Sequence, residues 1–459
     1  MASNRELLQR AAELALDYTD AVDNRAVAPT PGAIKALTRF DEDLPQQGLD
    51  AAATLELLAD VGGPATMAST GRQYYGFVNG ATHPVALGAA FLVNAWDQNA
   101  ALPVMSPISA AVGDVTRRWL VELLGLPEGT EVAFVTGATV ANASCLAAAR
   151  DALLTDVGWD VQRDGLFGAP PINVVIGAQA HSTLRKSLGL TGLGRERVIQ
   201  VPADDQGRMR ADSLPDLDPT DGPILVCAQA GEVNTGAFDP FTPLADWAAD
   251  RNAWLHVDGA FGLWALADPS RADLVEGLVR ADSLATDGHK WLNVTYDCGI
   301  AFVQRPGALR RTFSAVAGYL PPDTGFELMH HTPQSSQRAR QIEVWAVLRT
   351  LGRDGIAAMV QRASESAALI AERLRSVEGF EILNDVVLNQ VLVRYQDGAT
   401  TEALIERIQQ DGRIWCGPTQ WQGSTALRIS VSSWKTVADT AEQAAEVIIE
   451  CAVSLSAID

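Results

Sequence analysis

The strongest constraint on the fold is an alternation of short apolar runs with helical stretches across residues 81–315. Stretches with helical periodicity, such as Ala141–Leu154 and Leu244–Arg251, separate most neighbouring runs. This alternation favours an α/β fold with a mostly parallel sheet covered by helices, in which ligands bind outside the carboxyl ends of the strands. The runs that we predict as strands are Val132–Val135, Ile172–Ile176, Val198–Val201, Ile224–Cys227, Trp254–Val257, Ser283–Ala285 and Ile300–Val303.

The pattern differs on either side of this region, so we predict three parts. Residues 1–80 alternate helix and loop, and such a thin arm cannot bury its own apolar faces. We therefore expect the arm to pack on a partner subunit. Residues 81–315 form a large α/β domain. Residues 316–459 begin with a loop, continue with a long helix from about Gln337, and end as a small α+β domain.

Composition excludes several classes of protein. The 459 residues suffice for two or three domains, and 47% apolar with 20% charged residues is a globular composition. A net charge of −21 argues against nucleic acid and anionic membranes as partners, but backbone N–H groups could still hold a phosphate. The five cysteines lack metal-binding spacing, which predicts reduced thiols in a cytoplasmic protein and no metal site. We find no signal peptide and no membrane-spanning run in the sequence.

Two charged residues stand at the ends of neighbouring predicted strands. Lys290 follows the run 283–285, and Asp258 ends the run Trp254–Val257. A lysine amine can hold the aldehyde of pyridoxal phosphate as a Schiff base, and a carboxylate can keep the ring nitrogen of that cofactor protonated. If both side chains face one pocket, the chain is an enzyme that breaks a bond next to an amino group. The alternatives are a solvated surface lysine and an aspartate that caps the next turn.

His181 and Thr235 follow two further predicted strands, Ile172–Ile176 and Ile224–Cys227. His181 is flat and aromatic, so it could stack on the cofactor ring. Thr235 could touch the ring or its substituents. The alternatives are a histidine with a role in the core or a loop, and a polar loop around Thr235.

A turn of small residues follows the first predicted strand and opens a helix. It contains Gly137, Ala138 and Thr139. Backbone N–H groups at the positive end of a helix can close on a phosphate when small residues let them approach. The alternative is a tight turn with Thr139 or Asn142 near the helix N-cap.

Together these motifs resemble those of the group II pyridoxal-phosphate-dependent decarboxylases. That family includes the aromatic amino acid and glutamate decarboxylases and has the aspartate-aminotransferase fold, fold type I. The resemblance runs from about residue 70 to the C-terminus. Its most specific match is His-Lys-Trp at 289–291, followed by Asp-Cys at 297–298. His-Val-Asp-Gly-Ala at 256–260 and Ala-His-Ser-Thr at 180–183 are also similar to family motifs, as are Arg338, Arg340, Trp345 and Arg349.

The resemblance implies pyridoxal phosphate as cofactor, an amino acid as substrate, and a homodimer with its active site at the subunit interface. It implies that Lys290 forms the Schiff base, Asp258 faces the ring nitrogen, Ala260 lies beneath the ring and His181 lies on the ring face. The other positions that we expect to bind the cofactor are Gly137, Ala138, Thr139, Thr235, Asp287 and His289. The positions expected to line the substrate pocket are Tyr75, Phe77, Asn79, His83 and Arg428, of which the first four would equally suit the core beside the arm.

Two departures from the family pattern bear on the reaction. Aromatic decarboxylases of the family carry a loop tyrosine that returns a proton to the substrate carbon, and alignment back from Arg338 places Leu328 there. The alternative proton donors are Tyr319, His330 and His181. The second departure is Asp287, where many relatives have asparagine or serine, because an acid near a phosphate is unfavourable unless it points elsewhere.

From these observations we expect decarboxylation of an L-amino acid to an amine and carbon dioxide. The alternative is a pyridoxal-phosphate enzyme that breaks another bond, as a β-hydroxy amino acid aldolase, an aminotransferase or an oxidative deaminating decarboxylase does. A rival from another class is a cofactor-free binding protein.

Overall fold

The computed structural model describes residues 3–315 and 326–456. The chain begins with an arm of short helices, each with a side-chain N-cap. At the first of them, the Ser3 hydroxyl accepts from the Glu6 N–H while the Glu6 carboxylate accepts from the Ser3 N–H. None of the residues of these three described helices is buried. The helices are α1 (Asn4–Ala21), α2 (Pro31–Ala36) and α3 (Ala51–Leu57).

Two longer helices lead from the arm into the sheet. They are α4 (Pro84–Trp96) and α5 (Pro107–Leu123), and each has proline at its first position, where the missing N–H costs no hydrogen bond. The His83 ring caps α4 by accepting from the Val85 N–H.

A seven-stranded sheet forms the centre of the large region, in the order β1-β7-β6-β5-β4-β2-β3. β2, β3, β4, β5 and β6 pair in parallel, and β7 runs antiparallel to both of its neighbours. The prediction of a mostly parallel sheet is therefore confirmed. The strands are β1 (Glu131–Val135), β2 (Asn173–Gly177), β3 (Ile199–Val201), β4 (Ile224–Gln229), β5 (Trp254–Asp258), β6 (Ser283–Asp287) and β7 (Gly299–Val303).

Both faces of this sheet carry apolar side chains, because successive residues of a strand point to opposite sides. Trp254 joins the packing cluster of the face under Ala141 and Leu146, whereas Leu255 and Val257 join the larger cluster of the other face. The helices between the strands are α6 (Ala138–Asp156), α7 (Val161–Asp164), α8 (Ser182–Leu190) and α9 (Phe241–Asp250), and α10 (Ala308–Phe313) follows β7.

A long helix, α11 (Arg340–Arg375), connects the large sheet to a four-stranded antiparallel sheet in the order β10-β11-β9-β8. Its direction breaks at Gly352, where φ is +64° and ψ is −177°. The strands β8 and β10 were not predicted, because they are short or rich in polar residues. The elements after α11 are β8 (Phe380–Ile382), β9 (Gln390–Tyr395), α12 (Gly398–Asp411), β10 (Gly417–Trp421), β11 (Ser424–Ser430) and α13 (Ala438–Ser456).

The segment after the arm joins the small sheet to the large one. The Tyr75 N–H donates to the Trp415 carbonyl at 2.8 Å, and the Ser430 N–H donates to the Tyr75 carbonyl at 2.9 Å. Gly80 then passes so close to the backbone of Lys290 that a Cβ at position 80 would stand 1.8 Å from the Lys290 carbonyl oxygen. Only glycine permits this approach.

All five cysteine thiols are free and buried, as the sequence predicts. Within residues 3–315 and 326–456, none of the helices combines the length and the apolarity that crossing a membrane requires.

Candidate active site

The carboxyl ends of five strands and the helix starts that follow them enclose a cavity of about 180 Å³. This is where ligands bind in open α/β sheets. The cavity brings together nine of the ten residues predicted to bind a cofactor. Its wall consists of Gly137, Ala138, Thr139, His181, Thr183, Gln229, Gly231, Val233, Asp258, Ala260, Phe261, Asp287, His289 and Lys290.

Asp258 ends β5 and is almost fully buried. Its Oδ2 accepts from the Asn142 amide at 2.9 Å, and its Oδ1 accepts from the Ala260 N–H at 3.2 Å. Burial raises the pKa of Asp258, while His181, Lys290 and the hydrogen bond from Asn142 act in the opposite direction. The carboxylate therefore depends on these neighbours to stay ionised.

Lys290 follows the end of β6 and is about one fifth exposed. Its Nζ stands 3.3 Å from Asp287 Oδ2. Asp287 also accepts from the Ala138 N–H at 2.5 Å and lies 3.5 Å from His289 Nε2. The acid thus points at the reactive amine and at the first turn of α6, where it neutralises the positive helix end.

His181 stands at the N-cap of α8, in the bend that follows β2. Its Nδ1 accepts from the Thr183 N–H at 3.3 Å and lies 2.6 Å from the Thr183 hydroxyl, so a neutral ring carries its proton on Nε2. Gln229 holds the backbone of this bend by accepting from the His181 N–H at 3.2 Å. Burial lowers the pKa of His181, which favours the neutral, stackable ring.

The turn before α6 is shaped for close approach. A Cβ at Gly137 would meet Asp287 Oδ1 and His289 Cε1 at 3.4 Å, and a Cβ at Gly299 would stand 2.4 Å from the Gly137 carbonyl carbon. Neither Thr139 nor Asn142 caps the helix, because the N-cap is Gly137 and it is Asp287 that accepts from the first-turn N–H of Ala138. The N-cap residue therefore occupies none of the first-turn N–H groups with its own side chain, and that of Ala138 is occupied by Asp287.

Among the groups of the wall, the Lys290 amine, the buried Asp258 carboxylate, the flat His181 imidazole and the N-terminus of α6 each come from a different strand end. Pyridoxal phosphate needs these four groups for its aldehyde, its ring nitrogen, its ring face and its phosphate. The residues present therefore fit this cofactor. A fold with helices on a mostly parallel sheet and such a site define the class of pyridoxal-phosphate-dependent enzymes of fold type I.

Comparison with known proteins identifies the family. The pyridoxal-dependent decarboxylase conserved domain matches residues 34–396, so the chain belongs to that family. The aromatic-L-amino-acid decarboxylase of Bacillus atrophaeus is 25% identical to it, with 93% of this chain and 90% of that protein covered. The L-2,4-diaminobutyrate decarboxylase of Rhizobium meliloti is 29% identical, with coverages of 85% and 78%.

A crystal structure of Oryza sativa TDC with pyridoxal phosphate and tryptamine has the same fold, with a TM-score of 0.90 at 22% identity. The comparison covers 98% of each chain. Family membership makes this chain a pyridoxal-phosphate-dependent carboxy-lyase that decarboxylates an amino acid. Aldol cleavage, transamination and oxidative deamination are not favoured, since the relatives are decarboxylases.

One residue predicted to bind the cofactor lies outside the cavity wall. Thr235 is buried, and its hydroxyl donates to the Gln206 carbonyl at 2.7 Å and lies 3.3 Å from the Glu232 carboxylate. Thr235 lies outside the wall because the loop after β4 turns within Glu232–Gly236, where the Gly236 N–H donates to the Glu232 carbonyl. Val233 and Gly231 of the same loop face the cavity in its place.

The residues predicted to line the substrate pocket divide into two groups. Tyr75 lies in the core, only 1% exposed, and its hydroxyl donates to the Thr440 carbonyl. This placement follows the alternative that the sequence left open and gives Tyr75 no access to a substrate in this chain. His83 is used as the cap of α4 and packs against the Trp434 ring at 5.0 Å.

The other three residues are exposed or partly buried. Phe77 is 61% exposed and stacks on Trp415, with a φ of +53° that a bulky residue seldom adopts. Asn79 accepts from the Tyr296 hydroxyl at 3.0 Å, and the Tyr296 ring stacks on His289. Arg428 on β11 donates to the carbonyl of Val233, a residue of the cavity wall, at 3.3 Å.

The sequence analysis missed five residues of the wall: Thr183, Gln229, Gly231, Val233 and Phe261. Gln229 was missed because the predicted strand stopped at Cys227, two residues short of the end of β4. The signal that could have identified Gln229 is that it is a polar residue at the end of an apolar run, as Asp258 is at the end of β5. Gly231, Val233 and Phe261 lie in turns, where no periodic pattern shows which side chain faces inward, and Thr183 lies in the first turn of α8.

The positions considered for the proton donor are spread out. Leu328 is buried among Val93, Ala100, Ala339 and Ile342, so it does not face the cavity. His330 is also buried, and its Nε2 lies 3.1 Å from the Glu327 carboxylate. Tyr319 lies outside the described residues. Among residues 3–315 and 326–456, no three His, Cys, Asp or Glu side chains are grouped as metal ligands.

Proposed function

We propose that this enzyme decarboxylates an L-amino acid to its amine, with Lys290 as the residue that binds the cofactor covalently. The observation that carries the proposal is the convergence of Lys290, Asp258 and His181 on one cavity from three different strand ends. In a parallel sheet these ends meet at one edge, so residues distant in sequence can act on one molecule.

Pyridoxal phosphate, when bound, supplies a conjugated system that accepts electrons from the substrate carbon. Asp258 keeps a proton on the ring nitrogen by charge attraction in a dry site. His181, which lies in the cavity wall, would cover one face of the ring. The bond between Cα and the carboxylate carbon breaks, carbon dioxide leaves, and one proton takes its place on Cα.

The N-terminal turn of α6 is the proposed phosphate site. Gly137, Ala138 and Thr139 bring backbone N–H groups to this end of the cavity, of which that of Ala138 donates to Asp287, and His289 borders the same end. Lys290 lies close to Asp287, so its positive charge offsets the acid that stands at this end.

Arg428 is the proposed partner of the substrate carboxylate. Its guanidinium is largely buried beside Val233, and burial lowers its pKa while the neighbouring Glu232 opposes that shift. Glu232 is itself held by the N–H groups of Asn234 and Thr235 at 2.6 and 2.7 Å. A guanidinium fixed in this way can orient the carboxylate relative to the ring.

We assign the return of the proton to Tyr319. Leu328 has no proton to give, His330 is paired with Glu327 away from the cavity wall, and burial lowers the pKa of His181 so that its ring is neutral. The assignment rests on the sequence and on this elimination. Tyr319→Phe should lower amine formation at least about 100-fold, as expected for loss of a general acid. Unchanged amine formation would return the role to His181.

A homodimer with its active site at the subunit interface is the proposed assembly. The arm exposes Leu8, Leu16 and Leu49, which are 69%, 53% and 66% accessible, as expected for a segment that packs on another subunit. α4 adds Phe91, Leu92 and Trp96. Sedimentation analysis of the wild type and of Leu92→Asp should give a dimer and a dissociated chain. The cytoplasmic location stays a prediction.

A panel of L-amino acids tests the proposed reaction. The purified enzyme with pyridoxal phosphate should release carbon dioxide and amine in equal amounts from at least one substrate of the panel. Running the reaction in deuterium oxide should place one deuterium on the carbon that lost the carboxylate. Release of aldehyde with ammonia or peroxide as the main products would contradict the proposal.

A further inference from the structure

A chain of buried hydrogen bonds runs beneath the cavity and ends on Asp258. The Trp254 Nε1 donates to Ser283 Oγ at 2.8 Å, and Ser283 Oγ lies 2.9 Å from His256 Nδ1. His256 Nε2 lies 2.9 Å from Asn142 Oδ1, and Asn142 Nδ2 donates to Asp258 Oδ2 at 2.9 Å. We call these four residues, Trp254, Ser283, His256 and Asn142, the buried relay. Each of them is no more than 2% exposed.

The two ends of the relay, together with a neutral His256 ring, fix the direction of every bond in it. An indole N–H can only donate, and an ionised carboxylate can only accept. Asn142 must therefore turn its amide nitrogen to Asp258 and its oxygen to His256, which requires a proton on His256 Nε2. The unprotonated Nδ1 then accepts from the Ser283 hydroxyl, whose oxygen accepts from Trp254.

The ring of His256 is neutral in this arrangement. It is fully buried, and burial lowers its pKa to about 3. The relay therefore delivers a hydrogen-bond donor to Asp258 without bringing a second charge that would cancel the first. The titratable groups that face Asp258 from other elements are Lys290, after β6, His181, before α8, and the buried thiols of Cys145 on α6 and Cys227 on β4.

We infer that the buried relay is a positioning device that holds Asp258 as an ionised acceptor aimed at the ring nitrogen of the cofactor. The inference rests on the proposed role of Asp258 and adds four residues to it. Asn142 contacts Asp258 directly, and Trp254, Ser283 and His256 act through Asn142. Without the relay, burial would favour the protonated carboxyl, which no longer attracts a proton on the ring.

Titration of the absorbance band of bound pyridoxal phosphate against pH tests the relay, together with the Kd of the cofactor from equilibrium dialysis. The variants Asn142→Leu and His256→Leu should each raise this Kd roughly tenfold, the loss expected for a hydrogen bond to a charged group, and should move the pH profile of the band. His256→Gln, which can still donate to Asn142, should restore most of both properties.

A double variant separates action through Asn142 from a general effect on the fold. If His256 acts through Asn142, then Asn142→Leu with His256→Leu should shift the pH profile no further than Asn142→Leu alone. Val257→Ala is the matched control, since it removes buried volume from the same strand on the opposite face and should leave the pH profile unchanged. Additive shifts, or the same shift in the control, would overturn the relay.

Failure of the relay can be told from failure of the proposed function. Asp258→Asn could change the pH profile of the absorbance band and the Kd of the cofactor while Asn142→Leu and His256→Leu both match the wild type. In that case the inference about the relay is wrong, and the proposed role of Asp258 stands. If Asp258→Asn also matches the wild type, the proposed role itself is wrong. Should His256→Leu not fold, Ser283→Ala removes one oxygen atom only, and a wild-type pH profile in that variant overturns the relay.

Discussion

The two acidic residues of the cavity are held in opposite ways, although they end neighbouring strands. Asp258 is held by neutral donors, the Asn142 amide and the Ala260 N–H, which fix its position and leave its charge uncancelled. Asp287 faces Lys290 at 3.3 Å and the first turn of α6 at 2.5 Å, so its charge is offset where it stands.

This difference shows how one sheet edge can carry two carboxylates with separate tasks. A carboxylate held by neutral donors retains a negative charge that can attract a ligand group, in this case the protonated ring nitrogen. An acid paired with a cation and a helix end has part of its charge offset, and it also occupies a donor that a phosphate could use. The following predictions test the contrast between the Asp258 end and the Asp287 end of the cavity.

Lys290→Ala should have the largest effect, because this amine is near both acids and is the proposed site of covalent attachment. Turnover should fall at least about 1000-fold, as for loss of a nucleophile that also moves protons. Amine production measures the loss, and thermal unfolding shows whether the fold is retained. Lys186→Ala, at an exposed position of α8, is the control and should keep full activity. Full activity in the Lys290 variant would remove the basis of the assignment.

Asp258→Ala should come next and tests the end with the uncancelled charge. We expect kcat to fall about 100- to 1000-fold, the size seen when a preorganised electrostatic contact is lost, and cofactor binding to weaken. Steady-state kinetics with saturating cofactor give kcat and KM separately. A change in KM alone would show that Asp258 has no electronic role.

Asp287→Asn tests the end with the paired charge and should act in the opposite direction. The amide oxygen of the introduced asparagine can still accept from the Ala138 N–H. The repulsion between the Asp287 carboxylate and the phosphate of the cofactor disappears, however, and at water-like screening this repulsion is worth about 1 kcal/mol. The Kd of pyridoxal phosphate should therefore fall roughly fivefold. Dialysis at two salt concentrations measures it. Asp273→Asn removes the same charge at an exposed site and should change nothing; weaker binding in the Asp287 variant would refute the contrast.

Arg428→Lys should have a smaller effect, confined to substrate binding at the mouth of the cavity. Lysine keeps the charge but loses the planar fork, so KM should rise about tenfold with little change in kcat. Arg394→Lys on the adjacent strand β9 is the matched control, because Arg394 pairs with Glu381 instead. Equal KM values in the two variants would exclude Arg428 from the substrate site.

Tyr75→Phe should have the smallest effect and tests whether this residue belongs to the core. Only the hydrogen bond to the Thr440 carbonyl is lost, so the free energy of unfolding should fall by about 1 kcal/mol. Chemical denaturation measures this change, and the KM for the best amino acid should stay constant. A higher KM would place Tyr75 in the substrate pocket after all.

The sheet and the main groups of the cofactor site could be predicted from the sequence for one physical reason. Strand ends are marked by where an apolar run stops, and parallel pairing brings those ends to one edge. Lys290, Asp258 and His181 each sit within a few residues of such a stop, so their approximate position follows from the run alone.

The positions that the sequence does not reveal depend on loops and on distant contacts. Thr235 turns away because the loop after β4 closes on itself, and Tyr75 is covered by Thr440, far along the chain. Leu328 packs against helices on either side of it in sequence. No local pattern encodes such contacts, and the same is true of the buried relay, whose members come from three separate elements.

The contact between Gly80 and the Lys290 backbone also has a consequence for how the enzyme can change. A single methyl group at position 80 would act as a wedge against the peptide that carries the reactive amine. It would push that amine out of line without altering any group that takes part in the chemistry. The close approach of the N-terminal segment to the Lys290 backbone thus restricts position 80 to glycine, even where neighbouring surface positions can accept other residues.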